Sequence, residues 1–246
     1  MRQFIIAVLM IFIAISPITY ADSKIESSIN NDSRPVKDRE ADTNRKPTQV
    51  LKLAGIKPGD KVFDMFAGGG YYTELLSHMV GKDGQVISHN NEAYINYLGE
   101  SINARYKDGR LPNVKRITSE ANDLSFEANS LDAIFMILTI HDFYHSSNFW
   151  PAIDTEAVLA KLHKALKPGG TLIVVDHIGP DADITENSQK LHRVFPAHAE
   201  KDLLAAGFKI VEKADFLKNP DDPITISMGD PVIRGKTSRF VYKLTK

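Results

Sequence analysis

The chain has 246 residues, 43% hydrophobic and 25% charged, a composition that suits one large folded domain and excludes disorder throughout. Lys and Arg number 30 against 31 for Asp and Glu, so no net charge draws the molecule to nucleic acid, which is not an expected partner. Cysteine is absent, which excludes disulfides, thiolate catalysis and thiolate metal ligation.

Arg2 precedes an apolar run over residues 4–16, then Pro17, with the small residues Thr19 and Ala21 at signal-peptidase spacing. This predicts an export signal cleaved after Ala21. Residues 4–20 also approach the length that spans a bilayer, so an uncleaved anchor is the alternative, and only that form would make the membrane a partner. Residues 22–45 are rich in Ser, Asn, Asp, Lys and Glu and predict an exposed polar tether, which leaves 46–246 as the folded domain.

Residues 47–54 read as a short helix, followed by the turn Lys57-Pro58-Gly59-Asp60 and a strand over 61–66. Tyr72, Leu75, Leu76 and Met79 share one helical face, and that helix should stop at Gly81. A strand at 85–89, a helix over 92–106 burying Ile95, Leu98 and Ile102, and strands at 113–118 and 131–137 come next. Asp154 or Thr155 caps a helix whose Val158, Leu159, Leu162 and Leu166 form one apolar face; Lys167-Pro168-Gly169-Gly170 ends it before a strand at 171–175. A helix at 200–206 stops at Gly207, and strands at 208–216 and 239–244 read as an antiparallel pair at the edge. The rhythm predicts an α/β fold of seven strands with a mostly parallel sheet.

The stretch Val62-Phe63-Asp64-Met65-Phe66-Ala67-Gly68-Gly69-Gly70-Tyr71 puts an acid at a strand end, three glycines in the turn and a helix directly after. Glycine lets a ligand approach the backbone, and the free amides of a helix start favour an anionic group. A structural tight turn and a dinucleotide site use similar sequences. The dinucleotide fingerprint, however, needs a third spaced glycine where this chain has Thr73, and it asks for no acid at Asp64.

With that loop, four later segments resemble the class I S-adenosylmethionine-dependent methyltransferases: Glu120-Ala121 with Leu124-Ser125-Phe126, residues 129–134, residues 166–170 with Leu172, and residues 205–208. The resemblance implies a Rossmann-like seven-stranded fold with an antiparallel last strand and helices on both faces. It implies S-adenosylmethionine as cofactor, held by Asp64, Ala67, Gly68, Gly69, Gly70, Asn90 and Glu120. Phe66 stands where the family usually has glycine, and Asn90 where it usually has Asp or Glu. The signal, Arg45-Lys46-Pro47 and the Arg239-Phe240 ending are similar to an exported bacterial branch, which implies the periplasm.

Ligands of open α/β sheets bind beyond the carboxyl ends of the strands, where this chain places His141, Asp142, His145, Asp176 and His177. Methyl transfer from a sulfonium mainly needs a positioned nucleophile and a group to take its proton. His141 is the candidate base, and Asp142 or Asp176 would orient it or touch the substrate. Helix capping is the structural alternative for each. His141 and His145, four apart with Asp176 near, also fit a metal pair, but spacing places no third histidine and no metal is assigned. Phe143, Tyr144, Phe149 and Trp150 would wall a pocket or pack as core edge, and Arg45 could reach a substrate anion. The expected function is methyl transfer to a small-molecule or cell-envelope acceptor. A binding module on the same fold and a metal-dependent hydrolase are the alternatives.

Overall fold

The computed structural model describes residues 20–246; the apolar run and nearly all of the expected signal lie outside them. Among the described residues no helix is long and apolar enough to cross a membrane.

The tether expected at 22–45 is instead two helices, α1 (Tyr20–Ile29) and α2 (Val36–Arg45). Ile25 joins the core, while α2 is anchored by charge. Arg34 is buried and donates to Ile29 O and to both carboxylate oxygens of Asp42 at 2.8 Å, and Asp38 accepts from Arg105 at 2.7 Å. Periodicity cannot reveal a helix held by ion pairs, least of all one whose partner, Arg105, lies 67 residues further on.

Then follow α3 (Pro47–Ala54), β1 (Lys61–Met65), α4 (Tyr71–Val80), β2 (Gln85–Asn90), α5 (Glu92–Leu98) and α6 (Ser101–Tyr106). Pro47 opens α3 where its missing N–H costs nothing. The single helix expected over 92–106 is broken at Gly99, whose φ of 52° ends α5. Next come β3 (Val114–Thr118), β4 (Leu131–Ile137), α7 (Thr155–Ala165) and β5 (Leu166–His177). Asp154 caps α7 by accepting from Ala157 N–H at 3.0 Å. β5 starts earlier than expected: Leu166 pairs with Leu131 and Thr171 with Ala133, so residues 167–170 form an irregularity within the strand. The chain closes with α8 (Ile184–Leu191), α9 (Pro196–Ala205), β6 (Lys209–Ala214) and β7 (Arg239–Thr245).

The sheet order is β3-β2-β1-β4-β5-β7-β6, parallel except for β7, which runs antiparallel between β5 and β6. This is the seven-stranded architecture that the resemblance implies. Alternation along the strands feeds two cores. Phe63, Met65, Ile134, Met136, Leu172 and Val174 meet α7 and α9, whereas Val62, Ala133, Phe135, Ile173 and Val175 meet α3 and α4. The carboxyl ends of β1, β4 and β5 therefore open toward one side, under α2.

Candidate active site

The turn after β1 is shaped by positive backbone angles at Phe66 (φ 48°), Gly68 (55°) and Gly70 (79°). That conformation explains why a glycine suits position 66. Phe66 is held there by packing, its ring 5.0 Å from His89, 5.6 Å from Tyr94 and 5.1 Å from Trp150. A Cβ added at Gly68 or Gly69 would meet nothing within 4 Å, so the backbone is bare on its open side. Gly70 differs: Arg105 lies against it.

That open side faces a cavity of about 400 Å³. Asp64, Phe66, Ala67, Gly68 and Gly69 form one wall, His141 and His177 another, and Lys37, Asp38, Ala41 and Arg45 of α2 a third. The structure thus brings Asp64, Ala67, Gly68, Gly69 and His141 together, and places Asp142 and Asp176 behind His141. Gly70, Asn90 and Glu120 do not line this cavity. Asn90 is buried and accepts from Gly68 N–H at 2.9 Å while donating to Gly68 O at 3.0 Å. Its amide therefore clamps the loop. Half-buried Glu120 accepts from the Asn91 amide at 3.4 Å.

The Asn90 clamp makes a prediction. Aspartate, the family's usual residue, would keep the bond to Gly68 N–H but set a carboxylate oxygen against Gly68 O. Asn90→Asp is expected to lower stability by about 1–3 kcal/mol and to weaken ligand binding at the loop, read by chemical unfolding and calorimetry. Unchanged stability would remove the clamp from the account.

Asp64 ends β1 and accepts from the Thr73 hydroxyl at 2.6 Å. Burial pushes its carboxyl up to about 7, against the Thr73 bonds and the cations Arg105 and Arg45. Since the folded state holds this proton more tightly, its contribution to stability is full below about pH 4 and is lost as pH rises through about 7. Asp64→Asn, which keeps an acceptor for Thr73, should therefore gain on the wild type across that window, by up to roughly 4 kcal/mol in thermal unfolding series. A pH-independent difference would contradict the shift.

Asp176 is fully buried, and its Oδ1 lies 2.7 Å from His141 Nδ1 while Oδ2 accepts from the His141 backbone N–H at 3.0 Å. His141 Nε2 is 3.4 Å from Asp142 Oδ1. Burial acts to lower the His141 pKa, but Asp176 and Asp142 outweigh it and hold the ring up at about 9. Burial also raises Asp142, which accepts from the Tyr94 hydroxyl at 3.1 Å. Of the expected aromatic wall, Phe143 is core, the Tyr144 hydroxyl donates to Asp202 at 2.8 Å and Phe149 is exposed. Trp150 packs on Phe66 and Tyr94, and Phe66 and Tyr94 line the cavity.

Sequence reasoning missed Arg105, Asp38, Tyr94, His192 and Met228. Arg105 joins Gly69 O, Glu74 and Asp38, and Met228 reaches the cavity from the long segment before β7. None carries a local motif; each arrives by tertiary packing.

Residues 42–199 match the model of the ubiE/COQ5 methyltransferase family. Among curated relatives, a Ubiquinone/menaquinone biosynthesis C-methyltransferase UbiE of Shewanella piezotolerans is 28% identical over 167 residues, covering 68% of this chain and 59% of that protein. One of Teredinibacter turnerae is 27% identical over 144 residues, covering 58% and 53%. The match thus spans little more than half the length of these relatives. A crystal structure of a SAM dependent methyltransferase from Aquifex aeolicus superposes with a TM-score of 0.59 at 24% identity, covering 91% of this chain and 98% of that one.

Proposed function

This chain belongs to the ubiE/COQ5 methyltransferase family, and on that premise we propose that it transfers a methyl group from S-adenosylmethionine to a carbon of a small quinol-type acceptor. The observation that carries the reading is that the bare Gly68–Gly69 backbone and His141 face one cavity of about 400 Å³. The names of the relatives support a quinone-type acceptor. Family membership favours methyl transfer over the hydrolase and binding-module alternatives.

The cavity residues fit the cofactor chemically. Open space over Gly68 and Gly69 admits a ligand against backbone, and Asp64 lines the same cavity with its carboxyl group. When bound, S-adenosylmethionine supplies a methyl on a sulfonium, so the acceptor carbon gains a bond to that methyl as the sulfur–methyl bond breaks. The replaced ring proton leaves to a base or to water. Asp64, Ala67, Gly68 and Gly69 would hold the cofactor, and His141, fixed at Nδ1 by Asp176, presents Nε2 to the acceptor oxygen. Phe66 and Tyr94 give an aromatic ring an apolar surface.

The test uses the full chain with S-adenosylmethionine carrying a deuterated methyl group and an unmethylated quinol. The expected product bears the deuterated methyl on ring carbon, and Gly69→Val, which fills the open space without a positive φ, abolishes it. A methyl on oxygen, or none on any quinol, would overturn the acceptor. We also place the domain outside the cytoplasm on the strength of residues 2–21; fractionation of cells expressing the full chain checks this, and recovery from the cytoplasm would contradict it.

A further inference from the structure

The cavity wall formed by the ends of β4 and β5 carries an unusual density of imidazoles. The His141 ring lies 5.6 Å from His177 and 5.9 Å from His192, and His192 lies 5.0 Å from His145. A nitrogen of His141, a nitrogen of His192 and a carboxylate oxygen of Asp142 lie within 4.8 Å of one another. We propose that His141, Asp142 and His192 bind a divalent transition-metal ion of the zinc or ferrous class, with an open coordination position toward the acceptor cavity.

Three observations carry the assignment. The first is orientation. Asp176 Oδ1 meets His141 Nδ1 at 2.7 Å, and the Asp176 carboxylate is itself fixed by the backbone N–H groups of His141 and His177 at 3.0 and 2.6 Å. Nε2 is therefore the nitrogen left for a ligand, and a carboxylate behind an imidazole is how metal-binding histidines are held. The second is unspent coordination capacity. His177 is buried and pairs through Nδ1 with the Thr237 hydroxyl at 2.6 Å, while its Nε2 is buried with no hydrogen-bond partner. His177 lines the same cavity as His141, its ring 5.6 Å from that of His141 and outside the three-residue cluster, so it stands beside the open position as a polar neighbour.

The third observation is backbone strain. His192 follows α8 with φ 49° and ψ 54°, a left-handed conformation that favours glycine. As the residue that ends α8, with its N–H donating to Ser188 O at 3.1 Å, His192 leaves the helix in a direction set by that conformation, which brings its ring to His141 and His145. Ligand distances of about 2.0–2.1 Å require ligand atoms roughly 3.4 Å apart, so side-chain rotations of about 1 Å close the site. Two imidazoles with one carboxylate suit zinc or ferrous iron, and an open position is the mark of a site that acts on a bound molecule. Metal binding rests on these side chains alone; that the ion, in place of His141 Nε2 itself, would meet the oxygen of the acceptor rests on the methyltransferase reading.

The full chain, stripped with a chelator, should be titrated with zinc or cobalt(II) without cofactor, by calorimetry and by cobalt visible absorption; ferrous ion added anaerobically in competition chooses the class. One ion per chain is expected, with affinity reduced about 100-fold or more in Asp142→Ala and His192→Gly and by about 10–100-fold in Asp176→Asn. His192→Gly relieves its own backbone, so it should remain folded and keep the test decisive. No saturable binding by the wild type, or equal affinity in His192→Gly, overturns the site. Cofactor affinity on the same metal-free protein separates the two readings, since cofactor binding without metal binding sinks only this inference. Metal binding without cofactor binding sinks only the methyl transfer.

Discussion

Arg105→Ala is expected to lower the unfolding free energy by about 3–5 kcal/mol and to weaken cofactor binding along with it. The guanidinium is almost wholly buried and divides its donors among Glu74 of α4, Asp38 of α2 and the carbonyl of Gly69. Burial alone would raise the Glu74 carboxyl, yet His78, Arg110 and Arg105 hold it down at about 2. Removing Arg105 leaves the buried Asp38 carboxylate without the guanidinium that meets it and removes one of the cations around Glu74. It also frees α2 from the glycine turn, and α2 supplies Lys37, Asp38, Ala41 and Arg45 to the cavity wall. Arg105→Lys keeps the charge but not the three-way fork, so it should recover only part of the loss. Chemical unfolding with limited proteolysis reads both effects. A variant as stable as the wild type, with α2 still protected, would contradict this network.

Arg193→Ala is expected to cost a similar 3–5 kcal/mol, for a related reason. Arg193 and Asp222 are both fully buried as side chains and pair bidentately at 2.8 and 2.9 Å, and Arg193 also donates to Ile226 O and Ile178 O. Burial acts to raise the Asp222 carboxyl, but Arg193 and the N–H groups of Ser238 and Ile224 hold it below the ordinary carboxylate range. This pair ties the segment before β7 to the end of α8, beside His192. Met228 N–H donates to Leu191 O at 2.9 Å in that same segment, and Met228 lines the cavity. Losing the pair should therefore open the cavity on the Met228 side as well as destabilise the fold. Replacing both partners, as in Arg193→Met with Asp222→Leu, should restore much of the stability because no buried charge is stranded. Chemical unfolding of the single and double variants decides it; a double variant worse than the single would show that the pair adds more than mutual neutralisation.

Where local chemistry determines structure, the sequence reads directly. The α3 boundaries follow from Pro47 and Gly55, β4 from the apolar run over residues 133–137, and the α7 start from the Asp154 cap. The glycine turn is legible because positive φ at Gly68 and Gly70 leaves few residue choices. The site was legible at its two ends, the Asp64 turn and the His141 to Asp176 strand ends, since both lie where an α/β sheet presents ligands. What was not legible depends on distant partners. Helix α1 is tied to the fold by Ile25 in the core and the Ser28 hydroxyl on Leu75 O, and α2 by Asp38 on Arg105, partners 47 and 67 residues away for the two polar bonds. Asn90, expected to hold the cofactor, clamps the loop at Gly68, a contact no local pattern announces. His192 comes to His141 through the packing of α8 on the turn at Ile140–Tyr144 that follows β4.

The turn carrying Asp64, Gly68 and Gly69 is the place where S-adenosylmethionine should bind. Calorimetry of the full chain with S-adenosylmethionine and S-adenosylhomocysteine tests it most directly. Saturable binding of both is expected at one site per chain, abolished in Gly69→Val, with circular dichroism used to check that the variant is folded. No heat from the wild type with either ligand, or the same affinity in Gly69→Val, would contradict it.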